Sequence, residues 1–311
     1  MFDLTGKRIW IAGANGLVGG ALCRRLQNED CTVLTISRSD LDLREKASVE
    51  AFVAEEKPDV VVIAAAIVGS IEANRTKPVE FLQDNLAIGQ NIIEAAAKLE
   101  NVRLLNLGSS CIYPRLAEQP ISEDSLLTGP LEPTNEAYAI AKITALKQAA
   151  YYRQEYGKDF ITVVPTNLYG PGDHFDLERG HVIPALMRRF YDAQKQGIEE
   201  VTLWGSGSPI REFLHIDEAA DGLIFCLQHY DGLEPINLSG GDSVSIRELA
   251  DLLQEITGYD GRLNWDLSKP DGMPKKVLDN QRIAALGWQS KISLQEGLAQ
   301  TWEYFLANVA D

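Results

Sequence analysis

Residues Arg8-Ile-Trp-Ile-Ala-Gly13-Ala-Asn-Gly16-Leu-Val-Gly19 decide the fold of this chain, because an apolar strand runs directly into a glycine-rich turn. The stretch from Gly16 to Gln27 is amphipathic and predicts a helix after the turn. Glycines let the backbone pass close to a pyrophosphate, and the first amides of the helix then receive its negative charge. The segment therefore predicts a dinucleotide site, with contacts from Gly13, Ala14, Asn15, Gly16, Leu17, Val18 and Gly19.

Strands and helices alternate along the first half of the chain. Apolar strands are predicted at Arg8–Gly13, Cys31–Ser37, Asp59–Ala66, Arg103–Ser109 and Phe160–Thr166. Helices are predicted at Gly16–Gln27, Ala47–Glu56, Pro78–Lys98 and Ala137–Tyr156. Buried strands that alternate with helices indicate an α/β fold with a doubly wound parallel Rossmann sheet.

The alternation loosens after Tyr169-Gly-Pro-Gly172. Helices near His181–Gln196, Ser245–Thr257 and Ser293–Asn308 mix with short strands around Val201, Phe213, Ile236 and Arg262. We expect this part to form a smaller C-terminal α/β lobe that binds substrate over the carboxyl ends of the strands. The predicted boundaries are 1–168 plus about 211–238 for the dinucleotide-binding domain, and 169–210 plus 239–311 for the lobe.

Composition narrows the functional class. The 311 residues carry a formal charge of -16, which argues against a general nucleic-acid or membrane surface, because both favour basic stripes. The four cysteines show no metal-ligand spacing, so we expect reduced thiols, no metal and a cytoplasmic location. No signal peptide is visible, and the longest apolar run, Val60 to Val68, is too short to span a bilayer.

Tyr138 and Lys142 lie four residues apart in a predicted helix and project from the same face. Because a nearby ammonium group favours the phenolate, we expect the pKa of Tyr138 to be lowered. Ser109 ends the fourth predicted strand and would sit beside the same substrate oxygen. A tyrosine and a lysine at this spacing are often only a solvated helix face. With the glycine-rich turn and Ser109, however, they predict hydride transfer at a carbon–oxygen bond.

The second strand ends in Thr35-Ile-Ser37-Arg38, which bears on the choice of dinucleotide. Enzymes that use NAD often place an acidic residue there for the ribose hydroxyls, whereas a 2′-phosphate needs a cation. The planar guanidinium of Arg38 fits a phosphate, so the sequence favours NADP(H). The alternative is that Arg38 is a solvated loop residue.

Five further segments carry a family resemblance: Gly108-Ser-Ser-Cys-Ile-Tyr-Pro114, Leu131-Glu-Pro-Thr-Asn-Glu-Ala-Tyr-Ala-Ile-Ala-Lys142, Pro165-Thr-Asn-Leu-Tyr-Gly170, His181-Val-Ile-Pro-Ala-Leu186 and Trp204-Gly-Ser-Gly207. They resemble the GDP-L-fucose synthases, a branch of the extended short-chain dehydrogenases, and the similarity runs along essentially the whole chain. The resemblance implies epimerisation of GDP-4-keto-6-deoxy-D-mannose at carbons 3 and 5. Reduction at carbon 4 by NADPH to GDP-L-fucose would follow.

The resemblance also implies roles for individual residues. The family's base and acid for carbons 3 and 5 match Cys111 and His181, and its reduction triad matches Ser109, Tyr138 and Lys142. Implied substrate contacts come from Arg189, Trp204, Arg211 and Asp271. Implied further cofactor contacts come from Leu107, Gly108, Lys142, Pro165, Thr166, Asn167, Leu168 and His181.

Other interpretations of these residues stay open. Cys111 is either a small buried hydrophobe or, beside a lysine-rich pocket, a thiolate whose pKa we expect to be lowered. Arg189 and Arg211 could form surface salt bridges instead of facing a pyrophosphate, and Trp204 could belong to the core of the lobe. One departure from the family is Asn15, which stands where a basic residue is common and leaves more of the NADP preference to Arg38.

Two other functional classes also stay open. One is a different sugar-nucleotide enzyme of the superfamily, a 4-epimerase or 4,6-dehydratase with tightly bound NAD. Dehydratases usually carry an Asp-Glu pair after the strand-end hydroxyl, where this chain has Ser110 and Cys111. The other is a non-catalytic nucleotide-sensing protein, against which the intact Ser109, Tyr138 and Lys142 argue. We further expect a homodimer through a four-helix contact, formed by the helices Pro78–Lys98 and Ala137–Tyr156 of each copy.

Overall fold

The computed structural model describes residues 1–69, 71–177, 180–240, 242–269 and 271–310. In the first half, the elements are β1 (Arg8–Ala12), α1 (Leu17–Leu26), β2 (Thr32–Leu34), α2 (Lys46–Glu56), β3 (Val60–Ile63), α3 (Ile71–Thr76), α4 (Pro78–Ala97), β4 (Arg103–Leu107), α5 (Glu136–Tyr156) and β5 (Asp159–Pro165).

In the part of the chain that the structure describes, the second half holds seven short strands and five helices. Its elements are β6 (Asn167–Tyr169), α6 (Val182–Gln196), β7 (Glu200–Trp204), β8 (Ile210–His215), α7 (Ile216–His229), β9 (Ile236–Leu238), β10 (Asp242–Ser245), α8 (Ile246–Thr257), β11 (Arg262–Asp266), β12 (Lys275–Lys276), α9 (Gln281–Leu286) and α10 (Leu294–Asn308).

A six-stranded parallel sheet with the order β2-β1-β3-β4-β5-β9 forms the centre of the protein. Successive side chains of a strand point to opposite faces, so Ile9 and Trp10 enter different cores. Helices α1 and α7 cover the face of Ile9, and α2, α4 and α5 cover the face of Trp10. This arrangement confirms the predicted doubly wound Rossmann fold.

The predicted second strand was too long. Strand β2 ends at Leu34 rather than at Ser37, because the chain turns there. The amide of Asp40 donates to the carbonyl of Ser37, and the hydroxyl of Ser37 donates to the Asp40 carboxylate at 2.6 Å. Helix α7 was not predicted; it follows β8 and returns the chain to β9, which completes the parallel sheet.

A second sheet builds the floor of the C-terminal part. Strand β8 pairs antiparallel with β10 and parallel with both β6 and β12. Helices α6, α8 and α10 pack with it in a separate core that contains Phe190, Leu253 and Phe305. The predicted division into a dinucleotide-binding domain and a lobe stays a prediction at its boundaries. Among the described residues, no helix combines the length and apolar character needed to cross a membrane.

Candidate active site

Tyr138 and Lys142 lie in the first turns of α5, next to the end of β4. The Nζ of Lys142 donates to the carbonyl oxygen of Leu107 at 2.8 Å and lies 5.9 Å from the centre of the Tyr138 ring. Lys142 is buried, with 7% of its surface exposed. The predicted pair therefore does come together, but the lysine makes its hydrogen bond to the strand and not to the phenol.

Ser109 and Cys111 follow β4 in one turn of 3-10 helix formed by Ser110 to Ile112. The Ser109 hydroxyl caps this turn by accepting from the backbone N–H of Cys111 at 3.5 Å. Its side chain also acts to lower the pKa of Tyr138, which packs in the same cluster as Cys111. The strand end thus brings the predicted serine, cysteine and tyrosine together in space.

The expected lowering of the Tyr138 pKa is wrong. Burial raises the pKa of Tyr138, and ionisation of Cys111 would raise it further, against the lowering effect of the Ser109 side chain. Burial also lowers the pKa of Lys142 to about 8. Tyr138 is therefore a protonated phenol at neutral pH, the form that a proton donor requires.

The expected lowering of the Cys111 pKa is also wrong. The thiol is 9% exposed, and burial raises its pKa above the ordinary value. The Ser109 hydrogen bond and the charges of Lys276 and Lys142 act to lower it, but they do not offset the loss of solvent. A neutral thiol, rather than a thiolate, is the resting state of Cys111.

Lys276 is a site residue that the sequence analysis missed. It lies on β12, directly opposite Arg211 of β8 in the parallel register. Its charge acts on both Cys111 and His181, and its own pKa is lowered, first by burial and also by the neighbouring Arg211. Its position five residues after Asp271 was the available signal, but a single lysine beside Lys275 does not stand out.

His181 immediately precedes α6, and its side chain is 56% exposed. Its Nδ1 lies 3.8 Å from Oδ1 of Asp173, whose side chain is only 3% exposed. Asp173 raises the pKa of His181 through this close ion-pair contact, whereas burial and Lys276 act to lower it. Cys111 and His181, the two predicted proton carriers, therefore share Lys276 as a charged neighbour.

Arg211 and Asp271 lie on the same side of this group. Burial lowers the pKa of Arg211, while the negative charges of Asp271 and Glu132 raise it. Asp271 accepts from the backbone N–H of Ser206 at 2.6 Å and from its hydroxyl at 2.8 Å. These bonds tie the segment just before β12 to the loop that follows β7, where Gly205 has a φ of +77° and leaves no room for a Cβ beside Asp271.

Trp204 and Arg189 lie at the edge of the site. Trp204 ends β7 and is 67% exposed, so the alternative that it belongs to the core of the lobe is wrong. The ammonium of Lys269 lies 5.4 Å from the centre of its ring. Arg189 on α6 donates to the carbonyl of Thr202 at 2.9 Å, which places it beside β7 rather than in a surface salt bridge.

The glycine-rich turn fits a dinucleotide. A Cβ on Gly19 would lie 2.1 Å from the carbonyl oxygen of Gly13, so helix α1 can start this close to β1 only with glycine there. Helix α1 begins after Gly16 with no side-chain cap and no acidic residue in its first turn. Its first amides are therefore available to a pyrophosphate, with Ala14, Asn15, Leu17 and Val18 in the same turn.

The remaining predicted cofactor residues follow the carboxyl ends of three strands. Arg38 is exposed in the turn after β2, and its positive charge helps to lower the pKa of Asp42. Gly108 continues β4 and packs against Val164 so closely that a Cβ would lie 2.9 Å from it. Pro165, Thr166, Asn167 and Leu168 run from β5 into β6.

The family model for the NAD dependent epimerase/dehydratase family matches residues 9–239. GDP-L-fucose synthase 1 of Arabidopsis thaliana is 51% identical over 312 residues, covering 100% of this chain and 96% of the relative. The GDP-L-fucose synthase of Escherichia coli (strain K12) is 47% identical and covers 98% of each chain. A crystal structure of a GDP-L-fucose synthetase from Naegleria fowleri bound to NADP has a TM-score of 0.89 at 30% identity, covering 99% of this chain and 96% of that one. These findings confirm the predicted family resemblance.

Proposed function

Because the chain belongs to the NAD dependent epimerase/dehydratase family, we propose that it is an NADP-dependent epimerase and reductase of a GDP-4-keto-6-deoxy sugar. Its substrate would be GDP-4-keto-6-deoxy-D-mannose and its product GDP-L-fucose. One observation carries the proposal: Cys111 lies in the turn that Ser109 caps and packs with Tyr138, and the charge of Lys276 acts on the pKa of both Cys111 and His181. A simple ketone reductase needs the serine and tyrosine but has no use for the second pair.

Epimerisation requires proton carriers of moderate pKa. The 4-keto group acidifies the hydrogens on carbons 3 and 5, so a base removes each proton and an acid returns one to the opposite face. Cys111 and His181 are proposed to do this. The positive charge of Lys276 acts to lower the pKa of each of them, which moves the thiol, held high by burial, towards the working range.

Reduction then uses the hydrogen-bonded group at the end of β4. NADPH supplies a hydride to carbon 4 when it is bound. Tyr138, held protonated by burial, is proposed to donate its proton to the oxygen of that carbon, with Ser109 beside the same oxygen. Lys142, fixed to Leu107, is proposed to bind the nicotinamide ribose.

The nucleotide part of the substrate would lie along the C-terminal lobe. Arg189 and Arg211 are proposed to face the pyrophosphate and so provide the positive field that a chain of formal charge -16 lacks. The exposed ring of Trp204 is suited to stacking on guanine or sugar, and Asp271 holds the neighbouring loop at Ser206.

The cofactor proposal is NADPH, with Arg38 at the 2′-phosphate. Arg38 is exposed where β2 turns, and the neighbouring hydroxyl of Ser37 is engaged by Asp40. The relative from Naegleria fowleri, which was solved with NADP, supports the same choice.

A homodimer and a cytoplasmic location complete the proposal. A shallow groove on the outer face of α4 and α5 is lined by Leu86, Gln90, Thr144, Lys147, Gln148, Tyr151, Glu155 and Tyr156. Tyr151 and Tyr156 are 59% and 62% exposed, so a second copy of the two helices would cover aromatic surface there. The cytoplasmic location rests on the four free cysteines, which suit a reducing compartment.

The activity is tested by mixing the purified protein with NADPH and GDP-4-keto-6-deoxy-D-mannose. We expect stoichiometric loss of NADPH absorbance and a product that co-elutes with GDP-L-fucose. The same mixture with GDP-4-keto-6-deoxy-D-mannose replaced by UDP-glucose is the control for the alternative, a 4-epimerase with resident NAD. Retention of NAD through purification, together with conversion of UDP-glucose and no use of NADPH, would contradict the proposal.

A further inference from the structure

Asp173 is a buried carboxylate that the proposed mechanism does not yet use. It is 8% exposed, and its Oδ1 accepts from the backbone N–H of His174 at 2.8 Å. Its Oδ2 is buried and has no hydrogen-bond partner among the residues that the structure describes. Burying a carboxylate with only one of its oxygens hydrogen-bonded lowers the stability of the fold. A positively charged partner near Asp173 would offset that loss.

The loop after β6 brings Asp173 close to His181. The amide of Asp173 donates to the carbonyl of Gly170, and Gly172 follows the turn with a φ of +92°. Further along, Gly180 approaches the preceding backbone so closely that a Cβ would lie 2.5 Å from the carbonyl oxygen of Asp176. The chain therefore folds back on itself just before His181, whose Nδ1 comes to 3.8 Å from Oδ1 of Asp173.

We propose that Asp173 is a positioning residue for His181: its carboxylate keeps Nδ1 protonated and leaves Nε2 to face the sugar. This inference rests on the proposed function of His181 as a proton carrier. A carboxylate behind one ring nitrogen fixes the tautomer and the orientation of the imidazole, and it stabilises the imidazolium that forms during proton transfer. His181 has 56% of its side chain exposed, and Asp173 is the contact that the described part of the chain offers to hold its ring.

Two charges of opposite sign act on His181. Asp173, from the loop after β6, favours the imidazolium, and Lys276, from β12, disfavours it. The pKa of Lys276 is itself lowered by burial and by Arg211 and raised by Cys111. An anion and a cation thus act on the same imidazole. Removal of Asp173 should lower the pKa of His181, and removal of Lys276 should raise it.

The substitution Asp173→Asn keeps the shape and an acceptor but removes the charge. We expect the proton affinity of His181 to fall about tenfold, as for the loss of one moderately screened charge contact. Because a lower pKa moves the titration of His181 down the pH scale, the matching limb of the pH profile moves to lower pH whether His181 acts as acid or as base. Solvent-deuterium exchange at the sugar should slow about 10- to 100-fold with an unchanged KM for the GDP-sugar.

The direct measurement is an NMR titration of the histidine rings. The chain has four histidines, so His181 is assigned by the one signal that His181→Gln removes. In the wild type, we expect its pKa to lie above that of the same residue in the urea-unfolded chain. We expect Asp173→Asn and Asp173→Ser to lower it, and Lys276→Met to raise it.

Asp30→Asn is the matched control, because it removes one carboxylate from an exposed position before β2, at the opposite end of the sheet. It should leave the titration of His181 and the exchange rate unchanged. The inference is overturned if wild-type His181 titrates at or below its unfolded pKa, or if folded Asp173→Asn titrates like the wild type. Either result leaves GDP-sugar turnover by the wild type as a separate test of the proposed function.

Discussion

The ammonium nitrogen of Lys142 donates a hydrogen bond of 2.8 Å to the carbonyl oxygen of Leu107, the last residue of β4. The side chain is 7% exposed, so the chain keeps a cation in a nearly dry position at the end of its central sheet. Burial lowers the pKa of this lysine to about 8. Burial of the Lys142 ammonium lowers the stability of the protein. The same burial leaves the ammonium ready to bind a ribose or phosphate oxygen, so this loss of stability serves function.

Lys142→Met should therefore stabilise the nucleotide-free protein while it abolishes turnover. The pKa of Lys142 is about 8 in the folded chain and 10.5 in its ordinary state. Because the unfolded chain binds more protons between those values, wild-type stability rises as the pH increases from 8 to 10.5. The difference between the two pKa values corresponds to about 3 kcal/mol in the free energy of unfolding at neutral pH. In Lys142→Met, the lost hydrogen bond to Leu107 offsets about 1 kcal/mol of this gain.

Urea unfolding at several pH values measures this effect. The advantage of Lys142→Met over the wild type should be largest below pH 8 and shrink towards pH 10.5. Lys147→Met, on the same helix but half-buried, is the control and should change stability less at neutral pH. An advantage that is absent at pH 7, or that grows with pH, would show that burial of Lys142 is not the cause.

Tyr138→Phe should abolish reduction and leave proton exchange at the sugar largely intact. The phenol donates a proton only in the carbonyl step, and burial keeps it protonated for that purpose. We expect the rate of NADPH consumption to fall by about 10²- to 10⁴-fold. Mass spectrometry of recovered substrate in deuterated water should still show deuterium uptake. Tyr151→Phe on the exposed face of α5 is the control, and loss of both activities with binding intact would contradict this division of labour.

The central sheet could be predicted because its information is local. Strand β3 is a continuous apolar run, strands β1, β4 and β5 are mostly apolar, and Gly157 ends α5 with a left-handed φ of +66°. Helix α7 was missed because it is buried on several sides. Ala219, Ala220, Leu223 and Cys226 all lie in the core, so no clear polar stripe marks the helical period.

The residues of the site could be predicted better than the directions in which the fold shifts their pKa values. Motif spacing brought Ser109, Tyr138 and Lys142 together because one strand end and one helix carry them. The pKa directions of Tyr138 and Cys111 depend on how much water the fold removes, which no local pattern reveals. Lys276 was missed because only the pairing of β12 with β8 brings it to the site.

Arg38→Ala should weaken NADPH binding far more than NADH binding. A charge-assisted contact to the 2′-phosphate contributes about 1.5–3 kcal/mol, or on the order of ten- to a hundredfold in affinity. Because Arg38 is exposed in a turn, its removal leaves no buried group unpaired and should not affect folding. Fluorescence titration with both cofactors gives the ratio, with the exposed Arg262→Ala as the control. Equal weakening of the two cofactors would mean that Arg38 does not contact the 2′-phosphate.

Tyr151→Glu should convert the proposed dimer to monomer. The residue is 59% exposed in the groove of α4 and α5, and a carboxylate there would meet its own copy or apolar surface across a symmetric contact. Sedimentation velocity measures the mass before and after the substitution. Leu306→Glu changes an exposed apolar residue of α10 instead and should leave the mass unchanged. A wild type that sediments as a monomer, or a variant that stays dimeric, would exclude this interface.

Cys111→Ser should separate epimerisation from reduction, because serine keeps a hydroxyl of similar size but is a far weaker acid than a thiol. Ser109, Tyr138 and Lys142 remain, so the variant should still reduce the ketone and release an unepimerised GDP-6-deoxy-hexose. We expect the yield of GDP-L-fucose to fall by about 10²- to 10⁴-fold relative to total product. Chromatography of the two products against standards gives this ratio directly.

The resting state of Cys111 makes a companion prediction about its reactivity. Since burial raises the pKa of the thiol, iodoacetamide should modify Cys111 slowly at pH 7 and faster as the pH rises. The half-buried Cys23 and Cys31 react in the same sample, so peptide mapping is needed to separate them. Lys276→Met should slow the reaction of Cys111 further, because a positive charge that lowers its pKa is lost. If Cys111→Ser makes GDP-L-fucose at the wild-type rate, Cys111 is structural and the base must lie elsewhere, with His181 the first candidate.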